Sequence, residues 1–262
     1  IAQYVSGIGI ALFTFIKYPD LLKKTPDVHL KKERFREITS FSALTCLQQS
    51  IMNFGILLVQ SLVNSFGVAT MAAFAAGVKI DSFAYSPAQD FANGFATFVA
   101  QNTGAGKPER IKPVYRDCIL TVLLIGVPMC ALLYFFGQPL LGIYIARDDP
   151  AYASVIASGM VRVTYMGMTY FVCGIMETCC GMVRGLGRSW MPMVVTIFGA
   201  CVLRIIWIYT IFQTHHTLDV LYLSYPVSWV VTSAVHVLCF VLIYRRMMAR
   251  WNTHKEEKNA GY

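Results

Sequence analysis

Charge is what this sequence is shortest of. Of its 262 residues, 14% are Asp, Glu, Lys or Arg, against about 25% in an ordinary soluble domain. That deficit excludes a water-exposed surface of the usual kind. Metal and thiol signatures are also missing. The eight cysteines (Cys46, Cys118, Cys130, Cys173, Cys179, Cys180, Cys201 and Cys239) form no CxxC pair and lie nearly all in apolar segments. They read as small buried hydrophobes, with no structural disulfide expected. No HExxH, GxSxG or Cys–His nucleophile arrangement occurs, so an enzyme is not expected. Gly104-Ala105-Gly106-Lys107 lacks the GxxxxGK[ST] frame and a preceding strand, and reads as a helix stop with Pro108 beyond. Arg184-Gly185-Leu186-Gly187 likewise reads as a tight turn. No cleavable signal peptide is visible in the sequence, and it has no initiator Met. The sequence opens at Ile1 within an apolar stretch, which reads as a fragment.

Long apolar runs are there in abundance. Hydrophobic residues make up 56% of the chain, and many runs exceed the roughly 20 residues that cross a hydrocarbon core. The expected fold class is all-α, a polytopic membrane protein with six complete transmembrane helices at 38–65, 70–101, 114–138, 152–181, 190–212 and 223–246. Residues 1–16 are too short to span comfortably and read as the end of a preceding, truncated helix. Residues 17–37 form a connecting loop, 38–246 the six-helix body and 247–262 a tail. The second helix exceeds what a bilayer requires, with Pro87 and Gly94 as bending points. Its Ala72–Gly77 stretch offers small-xxx-small pairs for close helix contact.

Basic residues alternate with the spans. Eighteen of the 22 lie in the first connection, around 107–116, at Arg184 and Arg188, and in the terminal run Arg245–Lys258. Arg147 stands alone on the other side; Lys79, Arg162 and Arg204 lie within helices. Positive loops stay cytoplasmic. The C-terminus is therefore expected inside, in a multi-pass protein of the cell's inner (plasma) membrane, with Asn64–Gly67 outside. The net charge of +8 thus reports topology and partnership with membrane lipids, not nucleic acid.

Polar residues fall into two stripes when projected at about 100° per residue. One holds Ser42, Thr45, Gln49, Asn53, Gln60 and Asn64; the other holds Lys79, Ser86, Asp90, Asn93, Thr97 and Gln101. Such stripes are costly against lipid, so each faces protein or water. A wet cavity for a solute and hydrogen bonding in a closed bundle both fit, and the length of the stripes favours the cavity. The candidate substrate or cation-binding residues are Gln49, Asn53, Gln60, Lys79, Asp90 and Asn93. Glu177 and Tyr170 are secondary candidates, and Glu177 alternatively pairs with Arg184 or Arg188. Asp81 points away from its helix's stripe. Arg162 and Arg204 are expected to snorkel to the interface, and His236 to be a hydrogen-bonded core residue. His215, His216 and Asp219 share an outer loop, but no metal site is expected there.

Three strings carry a family resemblance. They are Leu62–Gly67 followed by Ala72–Asp81; Gln101-Asn102-Thr103-Gly104-Ala105-Gly106-Lys107-Pro108-Glu109-Arg110; and Gly181-Met182-Val183-Arg184-Gly185-Leu186-Gly187 with Pro192 after it. In order and spacing they resemble the MATE family of multidrug and toxic compound exporters. The resemblance implies twelve helices in two six-helix lobes. Residues 1–16 then end helix six, 17–37 join the lobes, and 38–246 are helices seven to twelve. It also implies an antiporter that exports amphipathic or cationic compounds by alternating access. Na+ or H+ is the coupling ion, no other cofactor is needed, and the N-terminal lobe is the partner. One branch of the family carries a cation-binding acid in helix seven, where this sequence reads Gln48-Gln49-Ser50-Ile51-Met52-Asn53; the coupling ion therefore stays open. A lipid-linked oligosaccharide flippase is the nearest alternative, but it would need several cavity cations. A seven-helix receptor is the alternative of another class, and it lacks DRY-like and NPxxY-like strings.

Overall fold

The computed structural model describes residues 2–22 and 31–259, and its contacts divide the chain into residues 1–42 and 43–262. Every regular element among the described residues is helical. The first unit holds α1 (Ala2–Lys17), a 3-10 turn at Pro19–Leu22, and the opening turns of α2 (Lys32–Asn64). Lys17 sits in the last turn of α1, where a cation meets the negative end of the helix dipole. Arg34 and Glu37 make an exposed ion pair at 3.2 Å. Part of the expected 17–37 loop is thus helical, and residues 23–30 lie outside the described residues.

The second unit contains the rest of α2 and then α3 (Val68–Gly104), α4 (Ile111–Leu141), α5 (Tyr152–Arg162), α6 (Tyr170–Gly185), α7 (Trp190–Thr196), α8 (Leu203–Tyr209), α9 (Ile211–Thr214) and α10 (Leu218–Asn259). π turns follow α5 at Val163–Gly167 and α7 at Ile197–Val202. The expected helix at 152–181 is therefore α5 and α6 with a break, and the one at 190–212 runs through α7, α8 and α9. α10 continues well past 246, into the expected tail.

Among the described residues four helices are long and apolar enough to cross a membrane: Lys32–Asn64, Pro108–Leu141, Trp190–Thr214 and Leu218–Thr253. The pair Tyr152–Gly167 and Tyr170–Gly185, bent by 45°, makes a fifth if it is one span. α3 is long enough, but Lys79, Asp81 and Asp90 interrupt its apolar run. The bend has a local cause: the Thr169 hydroxyl donates to the carbonyls of Tyr165 and Met166. Such side-chain bonds to the preceding turn compete with the helix ladder, and π turns are common sites of kinks.

Packing centres on α3 against α6. A Cβ at Gly181 would stand 2.7 Å from the Ala92 carbonyl oxygen, and one at Gly185 2.9 Å from Val99 Cβ. These two glycines, four residues apart, let the backbones touch. Gly185 is thus the last residue of a helix, and the tight turn lies just beyond it, with Gly187 at φ +79°. All eight cysteines are free thiols, seven of them buried. His236 is fully buried, with Nε2 3.1 Å from Thr196 Oγ1, as expected of a core histidine.

The two helix arginines do not snorkel. Arg162 is 3% exposed and forms an ion pair with Asp81. Its guanidinium lies 4.4 Å from the Phe74 ring centre, and its stem fills the space a Cβ at Gly77 would take. Arg204 is 5% exposed; it donates to Ser228 Oγ at 3.0 Å and lies 3.8 Å over the Tyr225 ring. Carboxylate, hydroxyl and aromatic faces replace the water these cations would otherwise reach for.

Two results should follow. Asp81→Asn leaves a buried guanidinium without its counter-charge, a loss of about 3 kcal/mol. Melting followed by fluorescence-detected size exclusion should show a clear drop in Tm, partly restored by adding Arg162→Met. Gly181→Leu, which meets backbone, should sharply reduce the monodisperse fraction after solubilisation. Gly94→Ala, where an added Cβ meets nothing within 4 Å, should leave it unchanged.

Candidate functional site

Rotation of α3 decides which of its polar residues face outward. With Asp81 turned inward to Arg162, residues about half a turn away around the helix are turned out. Lys79, Asp90 and Asn93 are all exposed on the surface of the second unit. Among the described residues, none of their side chains makes a hydrogen bond or ion pair. The smaller polar residues of this face satisfy themselves: Ser86 Oγ donates to the Ser82 carbonyl at 2.7 Å, and Thr97 Oγ1 to the Asn93 carbonyl at 3.0 Å. A hydroxyl bonded to its own helix needs no partner from a neighbour.

An open groove of about 690 Å³ follows this helix, lined by Ser86, Pro87, Asp90, Phe91, Gly94, Phe95 and Phe98. The rings of Phe91 and Phe95 are stacked, with centroids 6.4 Å apart. The lining is therefore one carboxylate set among aromatic faces. A carboxylate supplies counter-charge to a cation, and ring faces attract cations and stack on planar apolar groups.

Of the sequence candidates, only Asp90 lines the groove. Asn93 lies one turn further on, and Lys79 about three turns back on the same face. Gln49, Asn53 and Gln60 on α2 are exposed as well, but they do not contribute to this groove. The buried polar residue of α2 is instead Gln48, at 3% exposure. Its Oε1 accepts from Arg184 Nη2 at 3.2 Å, and Arg184 also reaches Cys180 Sγ at 3.1 Å.

Glu177 does not pair with Arg184 or Arg188 among the described residues. Its Oε1 accepts a hydrogen bond from Tyr85 Oη at 2.9 Å, joining α6 to α3. Tyr170 is 6% exposed, and its ring lies 5.7 Å from that of Trp229. It belongs to the packed interior. Sequence reading missed Tyr85 because an aromatic on a mostly apolar face carries no sign of a hydroxyl partner on another helix.

Comparison with known proteins gives the family. Over 199 residues the chain is 24% identical to the probable multidrug resistance protein NorM of Thermotoga maritima, covering 76% of this chain and 42% of that protein. It is 23% identical over 135 residues to a FAD transporter of Shewanella oneidensis, covering 52% of this chain and 29% of that one. In fold it is similar to the crystal structure of a MATE in complex with MaL6. The TM-score is 0.80 at 16% identity, over 94% of this chain and 55% of that one. The chain thus spans less than half of the curated relatives it matches. The MatE family model matches residues 45–210, and that match over more than half the chain places it in the MATE family of membrane proteins.

Proposed function

We propose that this chain is the C-terminal lobe of a secondary antiporter that exports amphipathic or cationic compounds in exchange for Na+ or H+ by alternating access. The observation that carries the reading is the outward face of α3, where Asp90 lies in an aromatic groove without a partner among the described residues. A groove with one helical wall suits a path completed by a second, N-terminal lobe. The relatives, about twice as long as this chain, support that division, and the name of the Thermotoga relative supports drug export.

In this mechanism all six helical segments of the second unit cross the bilayer, α3 with its polar face turned to the path. Asp90 supplies negative charge to a cationic substrate or to the coupling ion. Binding of one disfavours the other at the same carboxylate, which gives exchange; unequal affinity for the two lobe orientations couples binding to the rocking, and the gradient of the coupling ion sets the direction. Gln49, Asn53 and Gln60 extend the polar surface along α2, and Asn93 extends it along α3. Glu177, half-buried and held by Tyr85, is a second acid that can carry a proton. The basic ends of the helices face the cytoplasm, across the inner membrane.

Lys79 favours a second reading. It is the one cation of the exposed stripe on α3, and the Shewanella relative is named for an anionic compound. An anionic substrate would bind Lys79 and be repelled by Asp90. A flippase path would need more cations than this face offers.

The full-length protein expressed in an efflux-deficient strain should lower accumulation of a cationic dye. Asp90→Asn should reduce that export at least tenfold, while Lys79→Gln leaves it largely intact. Export of FAD in preference to the dye, lost in Lys79→Gln, would establish the anionic reading instead. A fluorescent-protein fusion at the C-terminus should fluoresce and a periplasmic phosphatase fusion there should be inactive; the opposite pattern would reverse the orientation.

A further inference from the structure

α10 is longer than its task as a span requires. Its 42 residues measure about 63 Å, against a hydrocarbon core of about 30 Å. It stays helical beyond the apolar region because its apolar stripe continues. Tyr244, Met247, Met248 and Trp251 follow one another at i, i+3, i+4 and i+7, and all four are half-buried.

That stripe docks on the connection between α3 and α4. The Trp251 ring would be 3.2 Å from a Cβ at Gly106, which has φ +65°. Tyr244 Oη donates to the Pro108 carbonyl at 3.5 Å. Behind it Tyr115, Phe240 and Tyr244 form a run of stacked rings, at 4.4 and 5.9 Å. The extension is therefore held at one end of the lobe.

The opposite face of the extension is basic. Arg245, Arg246 and Arg250 are exposed, as are Lys107, Arg110 and Lys112 in and after the docked turn. None of the six makes an ion pair among the described residues. Among the described side chains nearby acids are few: Asp117 is already held by Arg116 at 3.2 Å, leaving Glu109 on the turn and Glu256 on the helix. The cations flank the apolar stretches of α4 and α10, where a bilayer spanned by those helices would have its headgroups. Trp251 is the residue type that anchors at that depth.

We propose that the docked end of α10, with the turn at 107–112, is a binding site for the headgroups of anionic phospholipids. Three arginines on a helix clamped by Trp251 hold a fixed array of positive charge against the bilayer surface. Charge complementarity selects the occupant: zwitterionic headgroups offer no net negative charge to six unpaired cations.

The test is native mass spectrometry of the detergent-purified full-length protein with equal amounts of phosphatidylglycerol and phosphatidylcholine. Wild type should retain the anionic lipid at least about tenfold better, with each arginine worth up to about fivefold. R245Q/R246Q/R250Q should bring the two lipids close to parity, whereas R147Q, at the other end of the lobe, should not. Trp251→Ala keeps every charge but frees the extension, and should lose most of the preference. Inorganic phosphate at the lipid's concentration should not displace it. A triple variant or a Trp251→Ala variant with wild-type selectivity would overturn the proposal, and so would displacement by free phosphate.

Discussion

One buried ion pair sets the orientation of the helix on which the functional reading depends. Asp81 and Arg162 join α3 to the end of α5 inside the second unit. Nine residues separate Asp81 from Asp90, about half a turn of rotation at 100° per residue. Holding the first acid inward therefore turns the second outward. The same constraint brings Lys79 and Asn93 to the outer face. Without it α3 would carry two acids and a lysine with no rule for which of them meets the interior. With it, one acid has a structural partner and the other is left exposed.

Close contact between α3 and α6 keeps that orientation. Gly181 and Gly185 bring the backbones together, and the Tyr85–Glu177 hydrogen bond crosses the same interface. The two acids are thus partnered across two faces of α3: Asp81 by Arg162 at the end of α5, and Glu177 of α6 by Tyr85. Arg162, Arg204 and Glu177 each find at least one polar partner within the lobe, as a medium without water favours. The exposed stripe breaks that rule, and that exception is what supports a wet path beside it.

Much of the fold was legible in the sequence because long apolar runs fix the helices one at a time. The expected boundaries at 152 and 190 coincide with the observed starts of α5 and α7, and the glycine-marked stops after α3 and α6 fall where the turns occur. Projection also found the outward face of α3, since it depends only on angles within one helix. What failed needed a second helix. Arg162 and Arg204 read as snorkelling residues because position along a helix shows depth but not what stands opposite: Asp81 and Phe74 for Arg162, Ser228 and Tyr225 for Arg204. For Glu177 the sequence offers Arg184 or Arg188, close along the chain, whereas its hydrogen-bond partner is Tyr85 on α3. Gln48 and Gln49 are adjacent and chemically identical, yet one is buried against Arg184 and the other exposed, a difference set by rotation of α2 against its neighbours. The reach of α10 past 246 is hidden in the sequence because its extension is basic overall, while the docking of its apolar stripe at Gly106 and Pro108 is a tertiary contact.

Gly77 carries a consequence beyond mechanics. Its missing side chain makes room for the stem of Arg162, whose head group in turn needs the carboxyl of Asp81. No one of the three can be altered alone without leaving a clash or an uncompensated charge. Positions 77, 81 and 162 therefore form a correlated set. A lineage that gave up the arginine would be free to enlarge residue 77 and neutralise residue 81, and among relatives the three identities should vary as a block.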